Sequence, residues 1–193
     1  MTTFTRLAIP DVVLITPVRH QDSRGYFAET YSAKAFADFG LAPVFVQDNE
    51  SLSAPKGTLR GLHFQTPPFA QAKLVRAVKG AIFDVAVDIR KGSPTYGRWV
   101  GATLTAAKGE QLLVPHGFAH AFVTLEPDTL VNYKVDAVYS RPNDAGILWS
   151  DPDLAIDWPL EGAEPVLSDK DRALPRLKDY DSPFVYEGAS KRD

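Results

Sequence analysis

Apolar residues in this chain fall in short bursts, many of them alternating with polar ones, and nearly every burst is closed by Gly, Pro, Asn or Asp. That pattern predicts strands rather than helices. Ten stretches fit it: 12–16, 26–31, 44–47, 58–64, 73–78, 81–89, 98–104, 110–114, 119–125 and 129–135. So many strands need two packed sheets or a closed barrel, which makes the fold class all-β. One short N-terminal helix is expected, with Ser32 as its cap, 33–39 as its body and Gly40 as its stop. After about residue 136 the period is lost, broken by Arg141-Pro142-Asn143-Asp144, Asp151-Pro152-Asp153 and Trp158-Pro159, and an irregular segment of loops and turns is expected. The polar end, 180–193, is expected to fray or to dock on another surface.

Two of these stretches carry more than a fold prediction. In 82–89, Phe83, Val85, Val87 and Ile89 share one face and Asp84 and Asp88 the other. The two acids mark either a polar barrel interior or a solvated outer face, and the pattern alone leaves both open. In 58–65, Arg60 and His63 are an odd number of residues apart, so a regular pleat would send them to opposite faces. Gly61 lies between them, where a bulge would bring both side chains into one cavity.

Length and composition narrow the possibilities. The 193 residues, 45% hydrophobic and 23% charged, fit one soluble domain spanning 1–193, with a core over about 10–172 and a tail over about 173–193. A net charge of -3 without a dense basic block gives no general attraction to nucleic acid or to an anionic membrane. No apolar run approaches the length of a membrane span, and the start of the chain does not read as a secretion signal. Cysteine is absent, which excludes disulfides, zinc thiolates and thiol nucleophiles and fits the expectation of a cytoplasmic protein.

The candidate chemistry is that of acids and bases. Only four histidines occur, His20, His63, His116 and His120, and Pro115 and Gly117 argue against a helix that would align the pair four apart, so no metal is expected. There is no Gly-x-Ser-x-Gly elbow, no Gly-x-Gly-x-x-Gly and no Walker loop. Removal of a proton α to a carbonyl needs a base, a charge or donor at the carbonyl oxygen and, for inversion, an acid on the opposite side. His63, Lys73 and Tyr133 match those needs in type. Taken singly, each also has an ordinary explanation: a core histidine, a surface lysine, a tyrosine at a sheet edge.

Longer words decide between these. Asp22-Ser23-Arg24-Gly25-Tyr26-Phe27-Ala28-Glu29, Gln47-Asp48-Asn49-Glu50-Ser51, Lys56-Gly57-Thr58-Leu59-Arg60-Gly61-Leu62-His63-Phe64-Gln65 and Gln71-Ala72-Lys73-Leu74-Val75 come first. Phe83-Asp84-Val85-Ala86-Val87-Asp88-Ile89-Arg90, Val114-Pro115-His116-Gly117-Phe118-Ala119-His120, Asn132-Tyr133-Lys134 and Leu167-Ser168-Asp169-Lys170-Asp171 follow. In this order, over roughly residues 20 to 172, they resemble the dTDP-4-dehydrorhamnose 3,5-epimerase family. The resemblance implies a cupin-like jelly-roll barrel, a homodimer, no cofactor, and a dTDP-linked 4-keto-6-deoxyhexose as substrate on the way to dTDP-L-rhamnose. It assigns His63 as base, Asp171 as its orienting partner, Lys73 at the enolate oxygen and Tyr133 as the opposing acid. Asp84 and His120 would complete a polar floor. Arg24, Arg60 and Lys170 would meet the diphosphate or nearby polar groups, Glu29, Gln47 and Asn49 match further binding positions, and Tyr139 matches an aromatic that stacks on thymine. The Arg24 and Glu29 segment would serve the neighbouring subunit's site. Asp144 stands where the family commonly has glutamate, which shortens that contact to the nucleotide. Alternatives are a mono-epimerase acting at C3 or C5 only, a non-catalytic sugar-binding cupin, and a metal-dependent cupin oxygenase.

Overall fold

The computed structural model describes residues 1–188. Its strands in chain order are β1 (Thr3–Arg6), β2 (Val13–Thr16), β3 (His20–Asp22), β4 (Gly25–Phe27), β5 (Gln47–Ser53), β6 (Leu59–Gln65), β7 (Lys73–Lys79), β8 (Ala81–Asp88), β9 (Trp99–Thr105), β10 (Gln111–Val114), β11 (Phe118–Thr124), β12 (Thr129–Val135) and β13 (Asp144–Gly146). Helix α1 (Ala33–Asp38) lies between β4 and β5, and the single turn α2 (Asp169–Arg172) follows β13. Two antiparallel sheets form the body, β1-β2-β10-β7-β12-β5 and β13-β6-β11-β8-β9, and β3 and β4 make a separate hairpin. Two packed sheets are one of the forms the strand pattern allows, and they fit the jelly-roll class that the resemblance implies.

Three apolar clusters show how the layers stack. Between the sheets lie Val75, Leu112, Val114 and Val131 from one side and Ile82, Ala86, Val100, Leu104, Phe118 and Phe122 from the other. The outer face of the five-stranded sheet, with Leu62, Phe64, Val85, Val87 and Ile89, is covered by Ile147, Leu154, Leu177 and Phe184 of the irregular segment. Helix α1 covers the outer face of the other sheet by seating Phe36 against Val13, Ile15, Leu74 and Leu113. Its cap is as predicted, with the Ser32 hydroxyl accepting from the Ala35 amide at 3.4 Å.

Covering both outer faces decides the question left open for β8. Asp84 and Asp88 are both fully buried, on the same side of the strand as Ile82 and Ala86, so this side looks into the sandwich. The solvated-face reading is thereby overturned. The predicted strand at 44–47 is also corrected: the strand is Gln47–Ser53, an edge strand of alternating exposure whose partner is β12. Strand 26–31 shrinks to Gly25–Phe27, and β1, β3 and β13 had no strong pattern to announce them. The tail beyond 180 is docked as far as it is described: Val185 bridges Lys91 and the Ser182 hydroxyl donates to the Ile89 carbonyl. Positions 189–193 of the expected tail lie outside the described residues. No helix among the described residues is long and apolar enough to cross a membrane.

Candidate active site

The bulge anticipated at Gly61 is present, and it builds the site. Along β11 His120 and Phe122 are two positions apart, yet their partners on β6, His63 and Arg60, are three apart, so β6 carries one extra residue. Arg60 and His63 consequently line the same cleft. Only glycine is tolerated at the crossing: Gly61 has φ 117°, and a Cβ there would lie 2.5 Å from the His120 carbonyl oxygen and 2.7 Å from the Ala121 Cβ.

Two chambers meet at His63, Lys73, Tyr133 and Lys170. The larger, about 470 Å³, also has Arg60, His120, Ser168 and Asp171 on its walls, with Leu59, Phe122 and Leu167 as its apolar part. The smaller, about 200 Å³, takes in Gln47, Asn49, Tyr139 and Asp144. A bigger cavity of about 650 Å³ lies apart, beside α1 and the N-terminus; its walls include Phe4, Phe27 and Phe39, and it holds none of the predicted catalytic groups.

Inside the cleft, each imidazole is backed by a carboxylate. His63 Nε2 is 2.5 Å from Asp171 Oδ1, although 108 residues separate the two in sequence. Asp171 comes from α2, whose cap is Ser168: the Ser168 hydroxyl accepts from the Asp171 amide at 3.1 Å. Burial pushes the Asp171 carboxyl up, but its hydrogen bonds with His63, Ser168 and the Gly61 amide outweigh this and hold it below the ordinary carboxylate value. His120 Nε2 stands 2.7 Å from Asp84 Oδ1, and burial pulls this imidazole down against the pull of the Asp84 charge. The other oxygen of Asp84 is buried without a hydrogen-bond partner among the described residues.

Lys73 opens β7 on the inward side with Val75, and its ammonium donates to the His63 carbonyl at 3.3 Å. Burial lowers its pKa to about 8, opposed by the charges of Asp84 and Asp144. Tyr133 packs against the inter-sheet core, and burial raises its hydroxyl above the usual phenol value. In the smaller chamber Lys170 pairs with Asp144 Oδ2 at 2.5 Å, and the Tyr139 hydroxyl donates to the same oxygen at 3.2 Å. Such a cleft sets a carboxylate-backed base, a buried amine and a phenol within reach of one small molecule, the set that proton transfer beside a carbonyl requires.

Arg24 and Glu29 do not join it. Arg24 is exposed at the tip of the β3–β4 hairpin and paired with Asp22 at 2.6 Å, while Glu29 lines the separate N-terminal cavity. Gln65 and Gln71 also line the smaller chamber, and sequence reasoning gave neither a role. Gln65 accepts from the Ser140 amide at 2.7 Å and donates to the Val138 carbonyl at 3.1 Å, so it fixes the segment that presents Tyr139. Both glutamines stand inside the quoted words, and that was the available signal. Among the described residues no group of three or more His, Cys, Asp or Glu side chains is arranged to hold a metal ion.

Comparison with known proteins gives the family. A family profile described as dTDP-4-dehydrorhamnose 3,5-epimerase matches residues 6–179. The dTDP-4-dehydrorhamnose 3,5-epimerase of Sinorhizobium fredii is 54% identical over 95% of this chain and 93% of its own. The crystal structure of that enzyme from Bacillus anthracis, with TDP and PPi bound, superposes with a TM-score of 0.88 at 50% identity, covering 91% of this chain and 99% of the other. The epimerase of Legionella pneumophila, in complex with dTDP-4-keto-L-rhamnose, gives 0.91 at 41% identity over 96% and 100%. Fold and kinship together define a jelly-roll enzyme, a carbohydrate epimerase by class. The chain belongs to the dTDP-4-dehydrorhamnose 3,5-epimerase family.

Proposed function

We propose that this enzyme inverts C3 and C5 of dTDP-4-dehydro-6-deoxy-D-glucose to give dTDP-4-dehydro-L-rhamnose, with no metal or cofactor. The observation that carries the reading is the 2.5 Å contact between His63 and Asp171, facing Lys73 and Tyr133 across one cleft. An ionised Asp171 accepts from Nε2–H of His63, which leaves Nδ1 as the atom that takes the substrate proton. The ketone at C4 acidifies the C–H bonds at both C3 and C5, so one base serves both centres in turn. When the proton leaves, the negative charge gathers on the C4 oxygen, where the Lys73 ammonium stabilises it. Tyr133 then delivers a proton to the opposite face, and the centre is inverted. His120 and Asp84 form the polar floor beneath the sugar.

The sugar fits the larger chamber and the nucleotide the smaller one, with Tyr139 against the thymine ring and Gln47, Asn49 and Asp144 around it. Lys170, present in both chambers, and Arg60 in the larger one suit the diphosphate between them. Arg24 and Glu29, which lie outside the cleft of their own chain, act in a homodimer by reaching the site of the neighbouring copy.

The test is incubation with dTDP-4-dehydro-6-deoxy-D-glucose in D₂O, following C3 and C5 by NMR. Deuterium at both carbons with inversion is expected. Exchange at one carbon alone selects a mono-epimerase, and exchange at neither removes the assignment. His63→Asn is expected to lower exchange by at least about 10²-fold. Tyr133→Phe should retain exchange and lose inversion, because the base still works while the opposing acid is gone.

A further inference from the structure

The strand ends around Lys73 are tied by a carboxylate that lines neither chamber. Lys73 is the first residue of β7, and a terminal residue of a strand frays unless something holds the chain before it. It sits on a three-strand rung, paired with Val114 at the end of β10 and with Val135 at the end of β12. One step beyond that rung the ladder stops. There Asp136 Oδ1 accepts from the Ala72 amide at 2.7 Å, and His116, two residues past Val114, brings its Nε2 to 2.9 Å from Oδ2 and 3.1 Å from Oδ1. Next to it the Gln71 side chain donates to the Ala137 carbonyl at 2.7 Å. One side chain thus fastens the ends of β10, β7 and β12 at the residue whose ammonium enters the cleft.

We propose that Asp136 and His116 are positioning residues for Lys73, fixing where its ammonium meets the enolate oxygen, an inference that rests on the role given to Lys73 above. Neither touches the substrate. The Asp136 carboxylate raises the His116 imidazole above its ordinary value, so the clamp carries an ionic component over more of the neutral range. Transition-state stabilisation depends on placement within a fraction of an ångström, whereas the nucleotide is proposed to rest mainly on Gln47, Asn49, Tyr139 and Asp144, whose side chains are not among the partners of Asp136 or His116 in the described residues.

The experiment measures kcat and KM with dTDP-4-dehydro-6-deoxy-D-glucose, dTDP affinity by calorimetry, and amide hydrogen exchange over 70–76. It compares wild type with Asp136→Ala, Asp136→Asn, His116→Ala and His116→Gln. In Asp136→Ala, kcat should fall roughly tenfold to a hundredfold with KM and dTDP affinity unchanged, and the Ala72 amide should exchange faster. His116→Ala should show a smaller loss of the same kind. His116→Gln should recover most of it, because its amide N–H still donates to the carboxylate. Should Asp136→Ala not fold, Asp136→Asn carries the test: it keeps the acceptor for Ala72, loses the ionic partner of His116, and should match His116→Ala. An unchanged kcat in the Asp136 variants, or a kcat loss matched by an equal loss of dTDP affinity, overturns the clamp alone. Full activity in Lys73→Ala overturns the functional reading, and the clamp with it.

Discussion

Asp84 and Asp88 stand four residues apart on the same face of β8, both with no exposed surface, and their surroundings are opposite. Asp88 is saturated. It accepts from the Arg90 amide at 2.9 Å, from Arg90 Nε at 2.9 Å and its terminal nitrogen at 2.7 Å, from the Ser93 hydroxyl at 2.6 Å and from the Thr95 hydroxyl at 2.7 Å. Arg90 in turn pairs with Asp11 and has its guanidinium over the rings of Phe118 and Tyr186. Among the described residues Asp84 has one hydrogen-bond partner, His120, and an oxygen with none. A buried carboxylate with all its acceptors filled cements a corner of the fold, here the one where the C-terminal segment docks. A half-satisfied one is costly to the fold and is retained where a ligand or a neighbouring cation needs its charge.

The sharpest way to break this contrast is to remove the saturated acid. Asp88→Ala leaves Arg90, Ser93 and Thr95 facing an empty place and should lower unfolding free energy by about 3–5 kcal/mol in denaturant titrations. The kcat of the molecules that remain folded should be unchanged. A fall in kcat among folded molecules would mean that the corner, too, serves the chemistry.

On the other side of the contrast, the site is expected to gain stability when it is disarmed. The shift of Lys73 from 10.5 to about 8 corresponds to a penalty of about 3 kcal/mol at neutral pH. The unfolded chain holds this proton up to 10.5 and the folded one only to about 8, so the penalty is full below pH 8 and fades between 8 and 10.5. Lys73→Met should therefore raise stability at pH 7 by up to about 3 kcal/mol, a figure in which the attraction of Asp84 and Asp144 for the ammonium is already included, while lowering kcat by about 10²–10³. Thermal unfolding at pH 7 and pH 10 checks it: the difference between variant and wild type should shrink at the higher pH. In the wild type, on the role proposed for Lys73, kcat/KM should fall about tenfold per pH unit above about 8, as the free enzyme's ammonium loses its proton.

How much of this was legible in the sequence differs between the two acids and their surroundings. The period-two pattern of β8 put Asp84 and Asp88 on one face, and Gly61 betrayed the bulge that joins Arg60 to His63. What covers a sheet from outside was not legible: Ile147, Leu154, Leu177 and Phe184 come from a segment without a period, and without that cover Asp84 reads as well in solvent as inside. The edge strand β5 was displaced because Gln47–Ser53 is polar and owes its conformation to its ladder with β12, which local propensity does not encode. The pairing of His63 with Asp171 spans 108 residues, and only whole-word resemblance reached across that distance.

The smallest expected change is the most specific to the site. Asp84→Asn keeps an oxygen for His120 and replaces the unpartnered one with an amide, so a charge-assisted hydrogen bond is weakened while the burden of a bare buried carboxylate oxygen is lifted. The two effects oppose each other, and unfolding free energy should move by less than about 1 kcal/mol, against the several expected for Asp88→Ala. The charge of Asp84 helps to keep Lys73 protonated, so its removal should carry the alkaline limb of kcat/KM to a pH below that of the wild type. A pH–rate profile reads this directly. A limb that stays in place would show that the Asp84 charge does not reach Lys73, and the half-satisfied acid would then be a cost to the fold with no return in the chemistry.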